Sequence, residues 1–390
     1  MWKLFRTLQV AVFVAGLSLS LYGCAPSISG ENKAAPTKQA LSYPQSWDDH
    51  GIFHAQYQAA GSRLKTMSLD EKIGQLFLVR TPVKNQTELL RKHQFCGYVL
   101  YKRDIDNHNK QSLKKQIQTW VRAPKISPLI AVDEEGGTVN RISSNPNFRS
   151  SRFLSPQQLY SRGGMQAIES NTKEMVRLLE ELGFNVNLAP VADIATVPTD
   201  FMYQRSFGKE PKPTAEFIET VINNTKNSKV SFVIKHFPGY GNNRDTHKET
   251  VGDMRSLEQI ITRDLVPFKA GIKSGADAIL VSHNVVTSVD SKKPASLSKG
   301  VIALARKECG FTGIVMTDNL DMRAVRNYTK SSACVEAFLA GNDVIMISDY
   351  ANSLKEIKAA LKKGVITEDE LNRRVFRILA WKYNRGILKE

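Results

Sequence analysis

The chain has 390 residues, 42% of them hydrophobic, which is enough to enclose a sizeable core in one large α/β domain or two smaller ones and argues against a disordered chain. The 54 Lys and Arg against 38 Asp and Glu give a formal net charge of +16. That excess is scattered, as at Lys114 and Lys115 and from Lys355 to Lys363, with no interleaved aromatic ladder. It argues against a nucleic-acid partner and fits attraction to anionic lipid or an anionic wall polymer.

At the N-terminus, Lys3 and Arg6 precede an apolar run from Leu8 to Leu21 that ends in small residues around Cys24. The run is short for a membrane span and its flanks are those of a secretory signal, so residues 1–24 are read as a signal peptide. The LYGC ending resembles a bacterial lipobox. The resemblance implies a lipidated Cys24 as mature N-terminus and attachment to a membrane through that lipid, although Tyr22 is bulky for the motif and leaves plain cleavage or an uncleaved anchor open. In a Gram-negative cell, Ala25 at the position where Asp would retain the protein inside points to the outer membrane, hence an expected cell-envelope location. Residues 25–54, rich in Pro, Ser, Ala and Lys and without apolar periodicity to about residue 50, read as a flexible tether. Residues 55–390 remain as a single domain. Its cysteines, Cys96, Cys309 and Cys334, are odd in number and widely spaced, the pattern of buried free thiols, with a single disulfide as the alternative.

A helical pattern starts at Ala55, and Ser68 followed by Glu71 is a capping box for a second helix. Apolar runs then recur as candidate strands at Leu76–Val79, Tyr98–Tyr101, Leu129–Asp133, Val186–Pro190, Phe232–His236, Ala278–His283, Ile314–Asp318 and Val344–Ser348. Helical stretches lie between most of them: Met165–Leu182, Pro213–Asn227, Leu257–Ser274, Ser298–Lys307 and Ser331–Ala340. A last helix capped by Thr367 runs to about Asn384. Eight strands alternating with helices predict a (β/α)8 barrel of the TIM type, with an open doubly wound sheet as the alternative.

In a barrel, chemistry gathers at the C-terminal ends of the strands. Here those ends carry Asp133, then Lys235 with His236, then His283, then Asp318. Any one of them reads equally well as a residue meeting solvent, but four together favour a site, because each has to be desolvated with no benefit to the core. After His236, Pro238, Gly239 and Gly241 open a polar loop with Arg244, Asp245 and His247. A carboxylate two residues from an imidazole can orient it as a general acid or base, although DTH alone is as easily a solvated loop.

Taken in order, IGQLFLV, DEEGGTVNR, NVNLAPVADI, QRSFG, KHFPGYGNNRDTH, HN, GIVMTDNLDM and AGNDVIMIS resemble glycoside hydrolase family 3, most of all its single-domain β-N-acetylglucosaminidases, from about Met67 to the C-terminus. The resemblance implies a retaining exo-glycosidase that uses no cofactor and no metal. It would release terminal β-linked N-acetylglucosamine from cell-wall or chitin-type oligosaccharides, acting as a monomer. Asp318 would be the nucleophile, His247 the acid/base with Asp245 orienting it, and Glu249 a backup proton donor. Asp133, Arg141, Arg205, Lys235 and His236 would bind the sugar hydroxyls. The chemistry is coherent on its own terms, since an oxocarbenium-like transition state needs an anion below the anomeric carbon and a proton donor at the leaving oxygen. Three departures touch the shape of the subsite and the loop: Tyr240 for the family's usual His, Asn319 for the second Asp of SDDL, and Thr138 for a common Arg. A β-glucosidase of the same family, a sugar-binding wall lipoprotein without turnover, and an aldolase-like lyase using Lys235 as Schiff-base former are the competing readings.

Overall fold

Short apolar runs rich in Val, Ile and Leu form the strands of the computed structural model, which describes residues 40–241, 243, 245, 252–322, 325, 328 and 332–389. They are β1 (Phe77–Arg80), β2 (Gly97–Leu100), β3 (Leu129–Val132), β4 (Val186–Asn187), β5 (Ser231–Phe237), β7 (Ala278–Val281), β9 (Ile314–Thr317) and β10 (Ile345–Ile347), while β6 (Gly252–Asp253) pairs only with β8 (Val285–Val286). The eight pair in parallel in the order β10-β1-β2-β3-β4-β5-β7-β9, and a parallel bridge from Met316 to Val344 brings β9 and β10 together. The expected eight-stranded barrel is therefore the observed fold, each predicted strand being present.

The helices are α1 (Tyr57–Lys65), α2 (Leu69–Gln75), α3 (Gln86–His93), α4 (Lys110–Arg122), α5 (Pro156–Leu182), α6 (Pro211–Asn223), α7 (Leu257–Gln259), α8 (Leu265–Lys273), α9 (Lys299–Ala303), α10 (Ala333–Ala340), α11 (Tyr350–Lys362) and α12 (Glu368–Asn384). Ser68 with Glu71 forms the expected capping box, and Thr367 caps the last helix as expected, there too in a capping box, with Glu370. α5 begins nine residues earlier than its apolar pattern, because Ser155 and Gln158 cap it and Pro156 opens it, and it bends at Gly163–Gly164 where the backbone leaves helical angles. The stretch expected as one helix from Leu257 is interrupted by a π-turn, Ile260–Asp264. Pro267 explains it, since a proline ring clashes with the carbonyl four residues back and has no N–H to give.

The expected tether also ends early. Tyr43, Trp47 and Phe53 are buried, and the rings of Tyr43 and Trp47 lie 5.1 and 5.4 Å from Phe376 on α12. Residues 41–54 thus pack on the barrel's last helix, because aromatic residues in a Pro- and Ser-rich stretch find an apolar partner there. Cys24 and the signal segment lie outside the described residues.

Helix α12 also seals the N-terminal end of the barrel, opposite the strand ends that carry chemistry. Arg377 Nη1 reaches Asp343 Oδ1 at 2.6 Å, just before β10, and the other oxygen of Asp343 accepts from Arg306 and from the Val315 amide. Trp381 Nε1 and Arg385 Nε donate to Asp277 Oδ2, just before β7. Lys382 is fully buried and donates to Gln75 Oε1 at 2.7 Å and Ser127 O at 3.0 Å. With no carboxylate among those partners, burial pushes its ammonium down to about 8. Cys96, Cys309 and Cys334 are free thiols whose pKa values burial raises to about 11, 11 and 12, so none is a reactive thiolate near neutral pH.

Candidate active site

Each of the eight barrel strands sends at least one residue from its C-terminal end into a single cavity of about 370 Å³. Arg80 closes β1, Tyr101 follows β2, Asp133 and Glu135 follow β3, and Leu188 follows β4. Lys235 and His236 come from β5, Leu280 from β7, Asp318 and Asn319 from the end of β9, and Met346 from β10. Adjacent residues of a regular strand point to opposite faces, yet Lys235 and His236 both face the cavity. The register of β5 against β7 shifts between Lys235 and Phe237, a bulge that turns both side chains inward. The Lys235–His236 peptide is cis.

The wall beneath β3 and β5 is a dense charge network. Lys235 Nζ lies 2.7 Å from Asp133 Oδ1 and 2.6 Å from Glu135 Oε1. Arg205 grips the same Glu135 with both arms, Nε to Oε2 at 3.0 Å and Nη2 to Oε1 at 2.7 Å. Burial alone would raise the Glu135 carboxyl, but Arg205 and Lys235 hold it far below the ordinary range. Burial would lower Lys235, and Asp133 with Glu135 overcome it and hold the ammonium above its usual value. An amine so protonated is not a nucleophile near neutral pH, which speaks against Schiff-base chemistry.

His236 is fixed by its neighbours. Arg205 Nη2 is 3.3 Å from Nε2, and a guanidinium has only donors, so Nε2 accepts and the ring proton sits on Nδ1. Nδ1 then donates to Asp193 Oδ2 at 2.7 Å. Asp193, fully buried, also accepts from the Tyr240 amide at 2.6 Å and so ties the base of the following loop to the imidazole. Gly239 at this turn has φ 117°, and a Cβ there would strike Asp264 at 2.8 Å, so glycine is required. Tyr240, standing where the family usually has His, packs in a small apolar cluster with Val191, Ala195 and Met202, its ring 5.7 Å from that of His236.

Asp318 faces the same cavity at the end of β9. Its Oδ1 accepts from the Asn319 amide at 2.7 Å, and its own amide donates to Val281 O at 3.0 Å. Asn319 is a brace: Nδ2 donates to Ser348 Oγ and Oδ1 accepts from the Asp321 amide. His283, which the strand-end pattern placed in the site, lies behind it. With Nε2 donating to Asn319 O at 3.0 Å, Nδ1 is left to accept from Ser296 Oγ at 2.7 Å, so the ring positions the turn that carries Asp318.

Of the expected binding residues, Asp133, Arg141, Arg205, Lys235 and His236 all line the cavity, and Asp318 joins them. Buried Glu134 holds the loop of Arg141 in place by accepting from the amides of Arg141, Ile142 and Ser143. Thr138 is exposed and outside the cavity. Asp245 is half-buried, while His247 and Glu249 lie outside the described residues. Sequence reasoning missed Glu135, Asp193, Tyr101 and Arg80. Among the described residues, the guanidinium groups of Arg80 and Arg141 make no ion pair, and the buried Nε of each has no hydrogen-bond partner. Arg80 instead rests over the Tyr101 ring at 4.8 Å. Donor-only forks and ionised carboxylates converging on a polar cavity suit a ligand rich in hydroxyl oxygens.

A parallel barrel with a charged, hydroxyl-seeking cavity at its strand ends defines a carbohydrate-active barrel enzyme. Residues 68–381 match the Glycosyl hydrolase family 3 N terminal domain, and the chain belongs to that family. It is 32% identical over 273 residues to the β-hexosaminidase of Xylella fastidiosa (strain 9a5c), an alignment covering 67% of this chain and 78% of that one. The structure of a family 3 β-N-acetylglucosaminidase from Paenibacillus sp. str. FPU-7 superposes with a TM-score of 0.76 at 27% identity, covering 83% of this chain and 63% of that one. The fold is shared too with the β-N-acetylhexosaminidase of Beutenbergia cavernae DSM 12333, with a TM-score of 0.72 at 23% identity over 81% of this chain and 99% of that one.

Proposed function

We propose that the protein is a retaining exo-glycosidase that removes terminal β-linked N-acetylglucosamine from cell-wall or chitin-type oligosaccharides. The observation that carries the reading is Asp318 at the mouth of a cavity whose opposite wall holds Asp133, Lys235, Arg205 and His236. In this reading Asp318 attacks the anomeric carbon, forming the glycosyl-enzyme ester as the leaving oxygen takes a proton from His247, with Asp245 orienting that imidazole. Water, deprotonated by His247, then attacks the ester and frees Asp318. An imidazole as acid leaves a neutral group after its proton departs, so no second anion faces Asp318. Asp133, Arg141, Arg205, Lys235 and His236 hold the sugar hydroxyls. The hexosaminidase and acetylglucosaminidase names of the relatives support the choice of sugar.

The signal segment and Cys24 support attachment to a membrane through lipid, with the barrel working as a monomer in the cell envelope. Among the described residues no helix is long and apolar enough to cross a membrane.

The test is release of nitrophenol from its β-N-acetylglucosaminide and its β-glucoside by protein lacking residues 1–24. Turnover of the first, lowered about a thousandfold or more by Asp318→Asn and strongly by His247→Ala, supports the reading. Turnover of the glucoside alone would reassign the sugar. Turnover of neither, with N-acetylglucosamine still bound, would make the protein a sugar-binding lipoprotein.

A further inference from the structure

Far from the catalytic cavity, the segment that packs on α12 carries the sequence Asp48-Asp49-His50-Gly51-Ile52-Phe53-His54. Asp48 Oδ1 lies 3.3 Å from His50 Nδ1 and 3.0 Å from His54 Nδ1, and one ligand atom from each of the three falls within 4.8 Å of the others. Ligand atoms bound to one zinc ion at about 2.0–2.1 Å in a tetrahedron sit about 3.3 Å apart, so these spacings are close to two edges of such a site. His50 adopts a left-handed backbone, φ 49°, uncommon for a residue with a side chain, in a turn closed by its amide on Asp48 Oδ1.

The carboxylate is held as a metal ligand is usually held. Its side chain is only 5% exposed, Oδ2 accepts from Tyr43 Oη at 3.1 Å, and Oδ1 accepts from the His50 amide at 2.9 Å and lies within hydrogen-bond distance of His54 Nδ1, a contact the cation would replace. The two imidazoles are open to solvent, 77% and 51% exposed, so a cation can enter. The frame below is rigid: Asp49 accepts from the Gly51 amide and from Tyr57 Oη, and pairs with Arg377 of α12 at 3.7 Å.

We propose that Asp48, His50 and His54 form a site for a divalent transition cation, zinc being the best match to two imidazoles and one carboxylate, with water in the fourth position. The cation is structural, not catalytic. It closes the turn between residues 48 and 54 and so fastens the segment that covers α12.

The test is calorimetric titration of Zn²⁺ into the purified, EDTA-stripped protein, beside His50→Ala, His54→Ala and Asp48→Asn. The expected result is one saturable site, weakened about a hundredfold or more in each variant. The melting temperature should rise with Zn²⁺ in the wild type alone, as ligand binding to the folded state requires. Co²⁺ in the same site should give the visible absorption of a four-coordinate nitrogen and oxygen set. Hydrolytic activity of His50→Ala and His54→Ala should match the wild type, since neither residue reaches the cavity. Binding that survives both histidine substitutions, no saturable binding in the micromolar range, or loss of binding in Asp318→Asn instead would overturn the proposal.

Discussion

Lys235 and Glu135 meet at 2.6 Å inside the barrel mouth, and around this one contact the sugar-facing wall is assembled. Glu135 is the single anion shared by Lys235 and Arg205, both of which also face the cavity. Removing its charge leaves Arg205 without its carboxylate and Lys235 with Asp133 alone, two neighbouring cations sharing one anion where little water screens them. Glu135→Ala should therefore cost about 3–5 kcal/mol of stability, read as a fall in denaturation midpoint. Glu135→Gln, which keeps the shape, should fold better but still lose most sugar binding. Unchanged binding in Glu135→Gln would show that the charge, as distinct from the shape, is dispensable.

Asp193 acts through His236. Asn at this position can still hold the Tyr240 amide with its oxygen but brings a donor in place of an acceptor, weakening the hold on the Nδ1–H form. Asp193→Asn should lower kcat/KM about ten- to a hundredfold with a small change in melting temperature. The imidazole ¹⁵N shifts of His236 distinguish this from a purely structural effect: they should report a changed tautomer, and an unaltered tautomer would refute the positioning role.

Arg80 offers a donor fork to whatever occupies the cavity. Arg80→Ala should raise KM for the nitrophenyl glycoside about ten- to a hundredfold, the loss of a charge-assisted hydrogen bond. Its melting temperature should stay within a few degrees of wild type, because among the described residues no ion pair is lost. An unchanged KM would place the guanidinium outside the bound sugar.

Buried Lys382 makes a prediction with a definite sign. Its folded pKa, about 8, lies below the unfolded value, so between about pH 8 and 10.4 the unfolded chain binds more protons and this residue's cost to stability falls as pH rises. Lys382→Met removes that linkage. From pH 7 to pH 9.5 the stability of wild type should improve relative to the variant by about 2 kcal/mol, measured by urea denaturation at each pH. A constant gap would mean that Lys382 is protonated across the whole range.

The barrel and half of its mouth were readable in the chain because both follow a local rule. Asp133, Lys235, His236 and Asp318 each interrupt or end an apolar run, and a strand end is visible without knowing what lies opposite. Arg80 ends β1 in the same way and could have been found by the same rule. Glu135 and Asp193 could not, since each sits in a loop and acquires its role from partners far along the chain, at Arg205, Lys235 and His236. His283 shows the reverse error: a strand-end imidazole that faces a neighbouring turn, not the cavity. The composition of residues 25–54 as a whole reads as a tether, yet Tyr43 and Trp47 inside it have a docking partner in Phe376 of the last helix.

The sealing of the barrel floor by α12 bears on how the chain is made. Asp277, Asp343 and Gln75 gain Arg385, Arg377 and Lys382 as partners only once α12 has docked, so a chain without α12 leaves Asp343 to Arg306 and Asp277 to Ser231 at the bottom of an unsealed core. A chain cut before α12 would leave that floor open to water instead of closing it.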